Sequence, residues 1–137
     1  FVDAVAMRLI QWPSSYDVLI TSNLFGDILT DEASVISGSM GLMPSASIGL
    51  DNALYEPIHG SYPEATGKQI ANPIASILSL SMMLEYSFNL KSESELINKA
   101  VEVSLTNRFT TPDLSMNSKA YKTKEIGDYI VDFIKKN

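Results

Sequence analysis

Residues 23–32, NLFGDILTDE, are the most informative stretch for the fold and function of this chain. They place two acids at what the pattern predicts is the start of a helix. Asn23 is a favoured N-cap residue type, so Asp27 and Asp31 fall on the first two turns. Residues four apart share one helical face, where two like charges repel by roughly a few tenths of a kcal/mol. Either both carboxylates point into water, or something compensates their charge.

The surroundings of this acid pair favour the second alternative. The neighbouring positions are apolar on most sides, so the helix is not a simple surface element. Hard divalent cations such as Mg2+ or Mn2+ prefer carboxylate oxygens and leave sites open for water and substrate oxygens. We therefore expect Asp27 and Asp31 to hold a divalent metal.

Residues 16–22, YDVLITS, precede the acid pair and have an apolar centre, Val18-Leu19-Ile20. That run predicts a strand buried on both faces. In α/β folds, ligands bind beyond the carboxyl ends of such strands. The predicted strand-to-helix turn would lie at such an end, which supports the metal interpretation.

Composition limits the function classes. With 137 residues, 45% of them hydrophobic, the chain can form one domain with a substantial core. A net charge of −6 argues against nucleic-acid binding. The longest apolar stretch, residues 74–84, is interrupted by serines and too short to span a bilayer. The absence of Cys fits a reducing cytoplasm. The chain starts inside an amphipathic pattern without Met, so we expect a C-terminal piece of a longer protein.

Helical periodicity recurs on both sides of the central stretch. Upstream, residues 2–10 predict a helix that Pro13 ends, with Asp3 at its start, where the helix dipole alone would explain a carboxylate. Downstream, the pattern predicts a short strand within 42–49. It then predicts a buried helix that begins after an Asn72 N-cap and runs to about 86. Two further helices are predicted, one with a capping box at 92–95 that runs to 108 and a last one at 123–136. These are βα units followed by helices, an α/β fold with about half its sheet missing.

Residues 54–67, LYEPIHGSYPEATG, hold two prolines, two glycines and the only His, so we expect a structured loop rather than a helix or strand. A lone His59 is more often structural than catalytic. His-Gly-Ser nevertheless offers a close backbone approach with exposed donors, which suits a phosphate or adenine contact.

Three segments match one family: VDAVAMRL, DVLITSNLFGDILTDEAS followed by GSMGLMPSAS, and LYEPIHGSYPEATGKQIANPIASIL. The chain resembles the isocitrate/isopropylmalate dehydrogenase family of β-decarboxylating dehydrogenases, and within it the isopropylmalate-oxidising members most closely. The resemblance covers essentially the whole chain and implies the C-terminal part of a two-domain subunit with a non-Rossmann NAD site. Residues 1–42 would then be part of the metal and dimerisation domain, and residues 43–137 part of the NAD-binding domain.

The resemblance assigns the catalytic metal ligands. Asp27 and Asp31 match two metal-coordinating aspartates, and Asp3 matches the aspartate that the partner subunit donates. In this chemistry Mg2+ or Mn2+ binds the hydroxyl and adjacent carboxylate of a 2-hydroxy acid. Helices 2–11 and 24–37 resemble the family's homodimer helices, which pack as a four-helix bundle between subunits.

The segment 59–72 resembles the family's adenosine-binding loop, with matching cofactor positions at His59, Gly60, Ser61, Glu64, Ala65 and Asn72. An acid at Glu64 accepts hydrogen bonds from both ribose hydroxyls and repels a 2′-phosphate, which favours NAD over NADP. Ala65 and Tyr62 depart from the common pattern, as does TTPD at 110–113, where the family usually has Arg-Thr-x-Asp.

The activity implied is NAD-dependent oxidative decarboxylation of 3-isopropylmalate to 2-oxoisocaproate, a step of leucine biosynthesis, in the cytoplasm. Alternatives are a tartrate, homoisocitrate or isocitrate type of dehydrogenase, or a noncatalytic regulatory subunit. Retention of Asp3, Asp27 and Asp31 argues against the last. The family's substrate-binding arginines and its catalytic tyrosine and lysine have no counterparts here, so we expect this chain alone to be inactive.

Overall fold

A computed structural model describes residues 1–115 and 119–137. Within these ranges the helices are α1 Val2–Gln11, α2 Asn23–Ser37, α3 Ile74–Tyr86, α4 Lys91–Thr106, α5 Pro112–Ser115 and α6 Thr123–Lys136. The strands are β1 Pro44–Ile48 and β2 Ala53–Pro57, and short 3-10 turns occur at Pro13–Ser15, Met40–Leu42 and Pro63–Ala65. Across the described residues, no helix combines the length and the apolar character needed to cross a bilayer.

The two strands form an antiparallel hairpin in which Pro44 lies opposite Pro57 and Ile48 opposite Ala53. β1 confirms the short strand predicted within 42–49. The prediction that 54–67 is all loop is wrong for its first four residues, which belong to β2. Both prolines stand at strand ends, where a missing N–H disrupts the ladder least.

The strand predicted at 16–22 is absent, and this correction has a clear physical cause. The segment forms neither helix nor strand, and Val18 is 79% exposed and Ile20 is 96% exposed. A strand exists only through hydrogen bonds to a neighbouring strand. No strand among the described residues pairs with this segment.

The core lies between α3, α4 and α6. Its buried members are Ile74, Ala100, Val101, Ile126 and Ile130. The stripes predicted for α4 and α6 supply four of these five side chains. α3 is less completely buried than its composition predicts, since Leu80 and Tyr86 are exposed.

Serine replaces apolar packing where α3 meets α4. Ser81 and Ser94 are buried, with hydroxyl oxygens 2.8 Å apart, and the Ser81 hydroxyl also donates to Oδ1 of Asn98 at 2.9 Å. Small side chains at this position let the two helices approach closely, and the mutual hydrogen bonds offset the cost of burying the hydroxyls.

Helix ends differ from the predicted caps by one or two residues. Ser22, not Asn23, occupies the N-cap of α2, and Gly38 ends that helix in the left-handed conformation with φ of 91°. The predicted capping box at 92–95 is wrong, because α4 already begins at Lys91 without a side-chain cap, and it ends at Thr106 rather than at 108. Pro73 takes the predicted N-cap place of Asn72, although the Asn72 side chain still accepts from the backbone N–H of Ile74.

Candidate functional site

A cleft of about 750 Å³ opens between the start of α2, the β1–β2 hairpin and the residues that follow β2. Most of its wall is polar, with hydroxyls, carboxylates and backbone groups converging from elements far apart in sequence. It is lined by Leu19, Thr21, Ser22, Asn23, Gly26, Asp27, Thr30, Asp31, Ser45, Ser47, Glu56, Pro57, Ile58, His59 and Gly60.

Asp27 and Asp31 stand on one wall of this cleft, as the spacing predicts. Both are exposed. The side-chain amide of Asn23 donates to Oδ2 of Asp27 at 2.9 Å, which orients that carboxylate. Gly26 lies in the first turn of α2, and a Cβ there would lie 3.2 Å from Oγ1 of Thr21, which precedes the helix. Glycine therefore allows the segment entering α2 to approach the helix closely.

His59 and Gly60 lie in the same cleft, at the end of β2. Nδ1 of His59 is 2.9 Å from the carbonyl oxygen of Gly60. Of the six residues predicted to bind a cofactor, these two are the ones that share the cleft with the α2 carboxylates. The fold thus brings the start of the predicted cofactor loop beside the predicted metal ligands.

The other predicted cofactor residues, Ser61, Glu64, Ala65 and Asn72, are not among the residues that line the cleft. Ser61 and Glu64 are exposed. Ala65 is only 7% exposed, and its N–H donates to the carbonyl of Tyr62 at 3.0 Å. A ligand could reach Glu64 through its side chain, whereas the methyl group of Ala65 is already packed inside the protein.

Asn72 ends the loop in a hydrogen-bonded position. Its Oδ1 accepts from the N–H of Ile74 at 3.0 Å, and its Nδ2 donates to Oδ2 of Asp113 at 3.0 Å. The Ser39 hydroxyl donates to the same carboxylate oxygen. Partial burial would raise the pKa of Asp113, but the hydrogen bonds from Ser39 and Asn72, together with the nearby Thr111 hydroxyl, outweigh it and lower the pKa below its usual 3.8.

Asp3 is exposed on the first turn of α1 and is not among the residues that line the cleft. In the part of the chain that the structure describes, no group of three or more His, Cys, Asp or Glu side chains is arranged to hold a metal ion. The structure therefore joins Asp27 to Asp31 but leaves Asp3 apart from them.

Several polar residues of the cleft were not predicted from the sequence, among them Ser45, Ser47 and Glu56. Ser45 pairs directly with Glu56 across the hairpin, so their side chains share a face. The serines alternate along β1, and this spacing could have predicted that both lie on one face of the strand. The position of Glu56 in the cleft could not be predicted in this way, because the segment that contains it was expected to be a loop.

α1 and α2 pack together, each with one buried leucine, Leu9 and Leu29, and both helices leave large apolar side chains exposed. These side chains are exposed by about half or more, a feature that an isolated helix pair in water does not favour. They are Met7 (52%), Ile10 (47%), Leu24 (65%), Ile28 (53%), Val35 (71%) and Ile36 (48%).

Comparison with known proteins gives a consistent result. Residues 1–130 match the family model described as isocitrate/isopropylmalate dehydrogenase. The 3-isopropylmalate dehydrogenase of Bacteroides fragilis is 55% identical over 99% of this chain, and the homoisocitrate dehydrogenase of Methanocaldococcus jannaschii is 51% identical over 98%. The chain spans 38% of the length of each of these relatives.

A solved structure shares the fold as well. The crystal structure of isocitrate dehydrogenase from Methylococcus capsulatus superposes with a TM-score of 0.91 at 40% sequence identity. The match covers 97% of this chain and 39% of that one. The backbone described above therefore resembles one region of that longer chain.

Proposed function

This chain belongs to the isocitrate/isopropylmalate dehydrogenase family, and from that membership we propose that the protein carrying it oxidises and decarboxylates 3-isopropylmalate with NAD. Hydride leaves C2 of the 2-hydroxy acid for NAD, the hydroxyl proton is released, and the β-carboxylate departs as CO2. A proton returned to the carbon that lost CO2 completes 2-oxoisocaproate. The predicted place of the reaction is leucine biosynthesis, and the predicted compartment is the cytoplasm.

The observation that carries the proposal is the shared cleft. Asp27 and Asp31 on α2 face the same space as His59 and Gly60, where the predicted cofactor loop begins. A hydride transfer needs substrate and nicotinamide side by side, and the chemistry gains most when both are held before reaction. A carboxylate pair next to a nucleotide loop provides that arrangement.

The donor set of the cleft fits a hard divalent cation. Asp27 and Asp31 present oxygen ligands one turn apart on an exposed helical face, open to water and to a substrate oxygen. When bound, Mg2+ or Mn2+ would supply Lewis-acid stabilisation of negative charge on the substrate oxygens. Asn23 would keep the Asp27 carboxylate in one orientation through its 2.9 Å hydrogen bond, and Asp3 would complete the ligand set from a second subunit.

The cofactor preference proposed is NAD, and it rests on Glu64. The exposed carboxylate is accessible to the ribose of a nucleotide, where it would accept from both hydroxyls and repel a 2′-phosphate. The proposed domain division, 1–42 for metal and dimerisation and 43–137 for the nucleotide, gives each half of the cleft to one domain.

A homodimer is the proposed assembly. α1 and α2 carry exposed apolar side chains that would be suited to packing against the same helices of a second copy. Such a dimer would also explain why Asp3 lies apart from Asp27 and Asp31 within one chain.

The test is substrate turnover by the full-length protein that contains this chain. Purified protein is supplied with Mg2+ and NAD and offered 3-isopropylmalate, homoisocitrate, isocitrate and tartrate in parallel, while NADH and CO2 are both measured. The expected result is equal formation of NADH and CO2 with 3-isopropylmalate as the preferred substrate, and loss of both on adding a chelator. The 137-residue chain alone is the negative control.

Homoisocitrate is the second candidate substrate, because the Methanocaldococcus jannaschii relative is 51% identical and is named for it. A preference for homoisocitrate would replace the substrate assignment and keep the reaction type. A protein that oxidises none of the four acids would contradict the catalytic proposal and favour a regulatory subunit.

A further inference from the structure

One carboxylate oxygen of Asp113 accepts hydrogen bonds from two residues that are distant from it in sequence. Oδ2 of Asp113 accepts from the Ser39 hydroxyl, 74 residues away in sequence, and from the Asn72 amide, 41 residues away. Ser39 follows α2, the helix of the metal aspartates, and Asn72 ends the cofactor loop. We propose that Asp113 is a positioning residue for nucleotide binding, acting through Asn72. The inference rests on the function proposed above.

The Asn72 side chain has its orientation fixed on both of its polar atoms. Nδ2 donates to Asp113, and Oδ1 accepts from the N–H of Ile74, so the amide cannot flip without losing both bonds. Gly41 lies against the same side chain, and a Cβ on that glycine would stand 2.6 Å from Cβ of Asn72. Asn72 is thus held between a glycine that must stay small and a carboxylate that accepts from it.

The Ser39 hydroxyl connects Asp113 to α2. It donates to Asp113 and accepts from the N–H of Gly41 at 3.0 Å, which caps the short turn Met40–Leu42. That turn directly follows the C-terminal end of α2. The segment at the end of α2 and the end of the predicted cofactor loop are therefore both hydrogen-bonded to the Asp113 carboxylate. A shift of either end requires breaking a bond to a charged acceptor, which is stronger than a bond to a neutral one.

A second attachment explains why loss of Asp113 should not unfold the loop. The Thr123 hydroxyl donates to the carbonyl of Ala71 at 2.6 Å, and the N–H groups of Thr123 and Lys124 donate to Gln69 at 2.9 and 3.2 Å. These bonds from the start of α6 hold residues 69–71 without help from Asp113. Removing the Asp113 carboxylate should therefore release the side chain of Asn72 while the chain around it stays folded.

The expected effect is on nucleotide affinity rather than on the chemical step. Once the Asn72 side chain is released, a bound nucleotide must order it again, and this lowers the nucleotide affinity. For a lost hydrogen bond to a charged partner, the expected loss of affinity is about tenfold. Asp113 touches none of the reacting atoms in this scheme. The turnover number and the KM for the hydroxy acid should accordingly stay within about twofold of wild type.

The experiment uses the full-length protein and two readouts. NADH affinity is measured directly by fluorescence titration, and KM for NAD, KM for the hydroxy acid and kcat are measured by turnover. Asp113→Ala should weaken both nucleotide constants by about tenfold. Asp113→Asn keeps an acceptor oxygen for Ser39 and Asn72 and should recover part of the loss. Asp132→Ala, which removes an exposed carboxylate from α6, should change neither constant.

A double-variant comparison tests the route through Asn72. If Asp113 acts through that residue, Asp113→Ala combined with Asn72→Ala should bind NADH no more weakly than Asn72→Ala alone. Additive losses would overturn the proposed route, and an unchanged NADH affinity in Asp113→Ala would overturn the positioning role itself.

The NADH titration separates this inference from the proposed function. A wild-type protein that binds NADH but oxidises none of the acids tested would contradict the proposed function, while a weaker NADH affinity in Asp113→Ala would still support the positioning role. Normal isopropylmalate turnover, with the same NADH affinity in Asp113→Ala as in wild type, would support the proposed function and reject the positioning role.

Discussion

The side-chain amide of Asn23 donates a hydrogen bond of 2.9 Å to Oδ2 of Asp27, one helical turn further along α2. The donor restrains one carboxylate of the predicted pair, and it does so without introducing a positive charge. An arginine or lysine in its place would neutralise Asp27 and compete with a cation. Asn23 thus orients the carboxylate while leaving the negative charge of the acid pair intact.

We expect Asp27→Asn or Asp31→Asn in the full-length protein to lower kcat by at least about a hundredfold, because a neutral amide binds a hard cation poorly. Folding should be unaffected or slightly more stable, since one of two like charges on the same helical face is removed. Turnover at limiting Mg2+ and thermal unfolding measure the two effects. Asp51→Asn, on the exposed hairpin turn, is the control. Full activity of Asp31→Asn at limiting Mg2+ would contradict the metal assignment.

Changing Glu64 to Lys should shift cofactor preference from NAD toward NADP, because an ammonium group there pairs with the 2′-phosphate that a carboxylate repels. The ratio of kcat/KM for the two cofactors is the measurement. Ala65→Tyr at the neighbouring position should instead destabilise the protein, because Ala65 is buried. A wild-type protein that already used both cofactors equally would remove the basis of the ribose assignment.

Ile28→Glu should convert a full-length dimer into monomers, because an unpaired charge inside an apolar interface costs roughly 3–5 kcal/mol. Ile28 is 53% exposed on α2, and Val131 offers a matched control at 47% on α6. Val131→Glu should leave the assembly unchanged. Sedimentation velocity at micromolar concentration distinguishes the two results. If wild type itself sediments as a monomer, the interface assigned to α1 and α2 is wrong.

Asp113 should make stability depend on pH in a defined direction. Its pKa is lowered in the folded protein, so its contribution to the free energy of unfolding is complete above the usual value of 3.8 and is lost as the pH falls through the folded pKa. The difference in stability between wild type and Asp113→Asn should therefore be largest near neutral pH and shrink below pH 3.8. Urea unfolding at several pH values measures this difference. A gap that widened on acidification would contradict the lowered pKa.

Local pattern predicted those parts of the fold that depend on local interactions. The stripes of α1, α4 and α6 and the strand at β1 follow from side-chain periodicity alone, and the structure has them within a residue or two. The segment 16–22 failed because its apolar run needs a neighbouring strand that the described residues do not include. β2 was missed for a related reason, since its prolines and polar residues become a strand only when paired with β1.

In the candidate site, too, local spacing predicted some features, whereas others depend on residues that are distant in sequence. The spacing of Asp27 and Asp31 predicts a shared face, and the structure places both in one cleft. Glu56 could be located only after the hairpin register was known. The role of Asp113 could not be predicted from local spacing, because its two partners lie 74 and 41 residues away in sequence.

The distribution of the core along the chain has a consequence for biosynthesis. The side chains that close the core, Ile126 and Ile130, come from α6, whereas the exposed apolar surface of α1 and α2 is made much earlier. A ribosome therefore exposes that apolar surface before the helices that complete the core have emerged. Slow translation between α2 and α6 would lengthen this interval and increase the opportunity for aggregation, so chaperone occupancy of the nascent chain should peak there.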